Sequence, residues 1–197
     1  NAAKPFVGST KDVRGRTEYF AERGVEVREY LSAGRSDAEL LAHLQTLDLS
    51  DCDAVLFEYE TYLESMTYLR QAYPHVLRLV RAHNANFLHQ IDNFLGRQRM
   101  GDPVKSASDI RVAWERFDQD VRCAELADVI LAITDWEAVH YWTPLAGAGR
   151  VVSVPYFLPN TFDFSLPRPK ERKFCVCFMG TGGTMTPLLY DAARNTI

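Results

Sequence analysis

The stretch His75-Val76-Leu77-Arg78-Leu79-Val80-Arg81-Ala82-His83-Asn84 decides how this chain reads. Its first eight residues form a near-continuous apolar run, as a central strand of a parallel sheet requires. The run delivers a histidine and an asparagine to its carboxyl end. In open α/β sheets, ligands bind in the crevice outside the carboxyl ends of the strands. Farther on, Ala127-Asp128-Val129-Ile130-Leu131-Ala132-Ile133-Thr134-Asp135-Trp136-Glu137 repeats the arrangement: an apolar strand, then a polar pair opening a helix.

Working outward from these two segments, strands and helices alternate. Pro5 to Gly8 reads as the tail of a first strand. Asp12 to Arg23 reads as a helix stopped by Gly24 in a left-handed conformation, and Val25 to Tyr30 alternates with period two, the pattern of an edge strand. Ser36-Asp37-Ala38-Glu39 has capping-box spacing ahead of the stripe Leu40, Leu41, Leu44 and Leu47. Asp53 to Glu58 is the next strand. Thr61-Tyr62-Leu63-Glu64 is a second capping box, opening a helix with Tyr62, Met66, Leu69 and Tyr73 on one face and Pro74 as its stop. After the strand His75–Ala82, residues 85 to 97 predict a helix ended by Gly96. A long helix from about Ser106 to Leu126 follows, with the face Ile110, Trp114, Phe117, Val121 and Ala124. Asp128 to Ile133 is a strand, Thr134-Asp135-Trp136-Glu137 is a third capping box opening a helix through about Leu145, and Val151 to Val154 is a short strand.

This alternation predicts an α/β fold: a Rossmann-like parallel sheet with helices on both faces. Residues 1–155 form one domain on this reading. Residues 156–173, with Pro159, Pro167 and Pro169 and no period, read as an interdomain crossing. Residues 174–197 read as the first strand-helix unit of a second domain, in which Gly180-Thr181-Gly182-Gly183 is the turn.

The totals exclude several classes. A net charge of -4 with no dominant basic cluster excludes a nucleic-acid binder. The run Arg168-Pro169-Lys170-Glu171-Arg172-Lys173 reads as a solvated linker, with a weak contact to phosphate or to a peripheral anionic membrane surface as the minor reading. Cys52, Cys123, Cys175 and Cys177 lack zinc or redox spacing and read as packing residues in a reducing, cytoplasmic setting. No apolar run reaches the roughly 18 residues of a membrane span. The histidines, at 43, 75, 83, 89 and 140, form no metal constellation, and no resident cofactor is expected.

The candidate chemistry sits at the strand ends. His83 can donate a hydrogen bond to a substrate oxygen or take a proton; it can equally satisfy a loop carbonyl. Asn84 can recognise a hydroxyl or tolerate an unusual turn. Glu58 ends the preceding strand on the same edge, where its carboxylate can orient the imidazole or bind sugar hydroxyls. Thr134 caps a helix with Glu137, and that helix start, beside Asp135, is an anion site by geometry. Trp136, Tyr141 and Trp142 read as packing residues, although Tyr141 and Trp142 are adjacent and cannot both face a core squarely on an α-helix. Gly180, Thr181, Gly182 and Gly183 expose successive amides, suited either to a tight turn or to cradling a phosphate.

In order and spacing these pieces resemble the GT-B glycosyltransferases, particularly the retaining, nucleotide-sugar-dependent group. The segments that carry the resemblance are Ala21–Val27, Arg81-Ala82-His83-Asn84, Leu126–Asp135, Val151–Tyr156 and Phe178-Met179-Gly180. The resemblance implies one half of a two-domain architecture, with residues up to about 155 as the acceptor-side domain. It implies a nucleotide-sugar donor and a sugar or lipid acceptor, with His83 facing the donor, the glycine turn near its diphosphate, and mainly electrostatic catalysis. The chain departs from the family where Ala85-Asn86-Phe87 follows the histidine-asparagine pair and where no glycine-rich loop stands near Gly8. The family's acidic and basic donor ligands have no counterpart before Ile197, so the 197 residues alone are expected not to transfer sugar. Two other readings stay open: a non-catalytic module or degenerate partner subunit of a sugar-transfer complex, and an unrelated Rossmann-like small-molecule binder.

Overall fold

The computed structural model describes residues 8–30, 36–99, 101 and 103–157. They fall into two compact units, one holding 8–30, Ser36 and 155–157, the other holding the rest. The strand tail expected at 5–8 lies outside the described residues except for Gly8, which is helical, and so do nearly all of the crossing at 156–173 and the whole strand-helix unit at 174–197. So do Cys175, Cys177 and the turn Gly180-Thr181-Gly182-Gly183.

In the first unit, α1 (Gly8–Ala21) starts four residues before the expected Asp12 but stops at Gly24 as its sequence predicts. Gly24 takes φ +73°. Its N–H bonds Ala21 O at 3.0 Å, and the Val25 N–H reaches Phe20 O at 3.0 Å. These two bonds together are a Schellman motif, which needs a left-handed residue at that position. Near the middle of the helix, the buried Asp12 pairs with Arg16 at 3.2 Å and accepts from the Phe157 amide at 2.7 Å. The period-two segment Val25–Tyr30 is not a strand. It runs irregularly with Val25 half exposed. Alternation makes a segment fit for a ladder but does not provide a neighbouring strand, and no strand among the described residues pairs with it.

The second unit carries an α/β, Rossmann-like arrangement. Strands β1 (Ala54–Glu58), β2 (Leu77–Ala82), β3 (Val129–Ala132) and β4 (Val151–Ser153) form one parallel sheet in the order β1-β2-β3-β4. Glu58 stands opposite Arg81, Arg81 opposite Leu131, and Leu131 opposite Val152. The other face of the sheet carries Phe57, Val80, Ala82, Ile130 and Ala132, all at most 3% exposed. Val76, just before β2, joins the same core. Among the described residues the strand order does not reverse, so the candidate crevice is marked by the carboxyl rim alone.

Between the strands lie α3 (Leu63–Ala72), α4 (Asn86–Arg99) and α5 (Pro103–Leu126), with α2 (Asp37–Leu44) before β1. Helix α4 does not end at Gly96. It continues three residues, and the left-handed stop is Gly101 at φ +73°. Helix α5 begins three residues before the expected start. Its buried stripe is Ala113, Asp120, Cys123 and Ala124; Ala124 belongs to the expected face, but Trp114 on that face is 58% exposed. A helix seated closely on its neighbours must turn small side chains toward them; hydropathy alone ranks tryptophan above alanine and misplaces the face. Among the described residues no helix is long and apolar enough to cross a membrane.

The second capping box is overridden. The N-cap of α3 is Tyr62, with no side-chain cap of its own. Asp37 caps the helix instead, from 27 residues away: its carboxylate accepts from the Glu64 amide at 2.7 Å, the Ser65 amide at 3.1 Å and Ser65 Oγ at 2.6 Å. A carboxylate is also favoured there by the helix dipole. Replacing Asp37 with alanine is expected to destabilise the fold by about 1–2 kcal/mol, with asparagine recovering part of the loss. Urea unfolding of the three proteins measures this; equal midpoints for Asp37→Ala and wild type would refute the cap.

Candidate functional site

Parallel registration brings two strand ends to one rim. The Glu58 carboxylate accepts from His83 Nε2 at 2.8 Å, with the His83 side chain 4% exposed and that of Glu58 28% exposed. This is the juxtaposition expected from sequence. What the sequence does not signal is Tyr59. Its φ of +87° lies in the left-handed region that a bulky aromatic residue rarely occupies. Its N–H bonds Arg81 O at 3.0 Å, and its ring lies 4.4 Å from the imidazole at an interplanar angle of 30°. Strained backbone of this kind persists where surrounding contacts over-determine it, and such outliers cluster at functional sites.

Beside this pair a groove of about 470 Å³ opens over the ends of β2 and β3. Asn84, His89 and Asp92 line one side and Thr134, Trp136 and Glu137 the other, with Ala85, Leu88 and Ile91 as the apolar lining. The rim therefore gathers Asn84 and Thr134 in one groove, as expected. His83 and Glu58 stand beside that groove without lining it. Asp135 opens helix α6 (Asp135–Glu137) next to Thr134 and is exposed, again outside the lining.

The third capping box forms, with a change of partner. Thr134 Oγ1 accepts from the Glu137 amide at 3.1 Å and donates to Glu137 Oε2 at 3.2 Å. The other oxygen of Glu137 accepts from the Ala85 amide at 3.0 Å. Glu137 thus fastens the loop after β2 to the start of α6. The anion that this helix start favours is the protein's own carboxylate, so the free anion site expected there is already filled.

The helix expected through Leu145 is interrupted. After α6 comes a π-helical turn, Ala138–Trp142, and then α7 (Thr143–Ala146). Pro144 has no N–H, and its ring would clash with the carbonyl four residues back, at His140. The chain widens just before it: the Thr143 N–H reaches Ala138 O, five residues back. That widening lets both Tyr141 and Trp142 be buried, at 7% and 0% exposure, which a regular α-helix does not allow for neighbours. Trp136, which precedes the turn, is 57% exposed. Trp136 is therefore a groove residue and not the packing residue its sequence context suggests.

Behind the rim lies a buried acidic pair absent from the sequence reading. Glu60 and Asp120 are both fully buried. Glu60 Oε1 accepts from Asn86 Nδ2, and Asp120 Oδ2 accepts from Tyr141 Oη at 2.5 Å. Glu60 Oε2 and Asp120 Oδ1 have no hydrogen-bond partner among the described residues. Burial is the main force pushing Glu60 up to about 7, aided by the charges of Asp120 and Glu137 and opposed by its own backbone amide and Arg116. Burial likewise raises Asp120 to about 6, against the lowering effects of the Tyr141 hydroxyl, the Phe87 amide and Arg116. The Cys123 thiol beside them is pushed up by the same desolvation and stays a packing residue.

Set against known proteins, the chain matches no family model, no curated protein and no solved structure.

The acidic pair makes stability depend on pH with a definite sign. Glu60 rises from 4.5 to about 7 and Asp120 from 3.8 to about 6, so across that window the folded chain holds protons that the unfolded chain has released. Stability is then greatest at the acid end and falls as pH rises toward 7. For Glu60 alone the loss is at most about 3 kcal/mol. Urea midpoints near pH 5 and near pH 8 are expected to show this fall in wild type and a flatter response in Glu60→Gln, which keeps the acceptor for Asn86. A wild-type midpoint that does not drop between the two conditions would remove the account.

Proposed function

We propose that the second unit is the acceptor-side part of a glycosyltransferase that moves a sugar from a nucleotide-sugar donor to an acceptor. The observation that carries this reading is the His83–Glu58 pair at the carboxyl rim of a parallel sheet, beside a groove holding Asn84 and Thr134. A carboxylate that accepts from Nε2 fixes the orientation of the ring, which is how an imidazole is held ready to meet a substrate oxygen. Asn84 offers both a donor and an acceptor to sugar hydroxyls, and Thr134 a hydroxyl. Asp135 stands next to them at the rim. The order of sequence segments that resembles the GT-B glycosyltransferases supports the same reading. In it, the donor diphosphate belongs to Gly180, Thr181, Gly182 and Gly183, the reaction takes place in the cytoplasm with no resident cofactor, and the acceptor is a glycan or lipid met at the membrane surface.

One observation favours a second reading, a non-catalytic binding module of the same fold. The His83 side chain is 4% exposed and does not line the groove, so in that reading the Glu58–His83 pair is a structural tie between β1 and β2.

The two readings separate in a calorimetric titration of the chain, extended to include the donor-side ligands, with a panel of nucleoside-diphosphate sugars. Transfer chemistry at this rim predicts that at least one donor binds and that His83→Gln weakens it by about tenfold with the far-ultraviolet circular dichroism unchanged. Equal donor affinity in wild type and variant would exclude His83 from the site.

A further inference from the structure

The groove between α4 and α6 has a chemical character that neither the His83–Glu58 pair nor the fold class explains. Its outer wall is Trp136, 57% exposed. The His140 ring leans on that indole with centroids 5.3 Å apart, which holds its orientation. Opposite stand Asn84 and Asp92, both exposed, with no side-chain hydrogen bond among the described residues. The groove floor near Thr134 is closed by Glu137, whose two oxygens are engaged by Thr134 and the Ala85 amide.

These features sort the ligand classes. A phosphate or other anion would meet two carboxylates, Asp92 and Glu137, against the single imidazole of His89, and a helix start already filled by Glu137; like charges held together in a groove repel. A quaternary ammonium or methylated amine is recognised by a cage of several aromatic faces, and among the described residues one indole, Trp136, and one imidazole, His89, line this groove. A neutral polyhydroxylated ring fits. Its apolar C–H face lies on the exposed indole, its hydroxyls donate to the Asp92 carboxylate and exchange hydrogen bonds with the Asn84 amide, and nothing in the ligand has to neutralise a charge. An opening of about 470 Å³ lies within the range of small-ligand clefts.

We infer that this groove is a carbohydrate-binding subsite, with Trp136 as the stacking platform and Asp92 and Asn84 as the hydroxyl-reading groups. The inference deepens the transfer reading, since it names the acceptor as a glycan; the word acceptor rests on that reading, whereas the subsite stands on the groove. Because Trp136 is exposed, its replacement removes no core contact, and the fold survives the test.

The experiment is a titration of wild type, Trp136→Ala and Asp92→Asn with methyl hexosides and short oligosaccharides of glucose, mannose, galactose and N-acetylglucosamine. It is followed by saturation-transfer NMR and by tryptophan fluorescence, with the Trp114→Phe variant removing the other exposed indole as background. At least one sugar is expected to bind wild type and Trp114→Phe alike. Trp136→Ala should weaken it by about tenfold or more, and Asp92→Asn severalfold. Binding that survives Trp136→Ala unchanged, or no binding of any sugar in the panel, overturns the subsite. So does binding of choline or inorganic phosphate at Trp136 in preference to sugar. The donor titration is run in parallel. Sugar binding through Trp136 without donor binding keeps the subsite and removes the transfer reading; donor binding without sugar binding does the reverse.

Discussion

The parallel ladder that sets Glu58 opposite Arg81 is the constraint on which the rim depends. In a parallel pair, successive strands finish at the same edge, and a crossover carries the chain back to start again. Residues 25 apart in sequence, Glu58 and His83, therefore arrive within hydrogen-bonding distance without any local motif to join them. A slip of one residue would send each side chain to the opposite face. The imidazole would then lose its carboxylate, and Asn84 would turn away from Thr134.

The opposite edge of the sheet is held by arginines, and they explain why charged residues sit in an otherwise apolar strand. Arg78 is only 8% exposed. Its amide and guanidinium both bind Asp128, at 2.8 and 2.7 Å, and its Nε donates to Leu126 O at 2.9 Å. Arg150 covers Ala124 O and Ala127 O, each at 3.0 Å. The last carbonyls of α5 have no partners within the helix, and positive charge suits that end of the dipole. Asp128 thus acts at the amino edge of β3, far along the strand from the rim, and its place before an apolar strand is a matter of pinning register.

Much of the candidate site was readable because it is local. Thr134 and Glu137 sit three apart at the start of a helix, and their contact follows from spacing alone. His83 and Asn84 end an apolar run, and Gly24 closes a helix, for reasons that need no distant partner. Three features were not readable. Asp37 caps a helix that begins 26 residues later. Glu60 and Asp120 lie 60 residues apart and become an acidic pair only when α5 packs against α3 and α4. Trp136 looks like a core residue, yet it stays exposed while the π-helical turn before Pro144 buries Tyr141 and Trp142.

What the residues determine by themselves is period and punctuation: where apolar runs make strands, where glycine and proline end elements, and which polar residues sit at strand ends. Short-range sterics and local hydrogen bonds decide those matters within a turn or two of chain. Only the tertiary structure decides which faces are buried, which carboxylates lose water and raise their proton affinity, and which tryptophan is left in a groove. Those properties are set by whatever atoms arrive from far along the chain, because desolvation depends on all neighbours in space and on none in sequence.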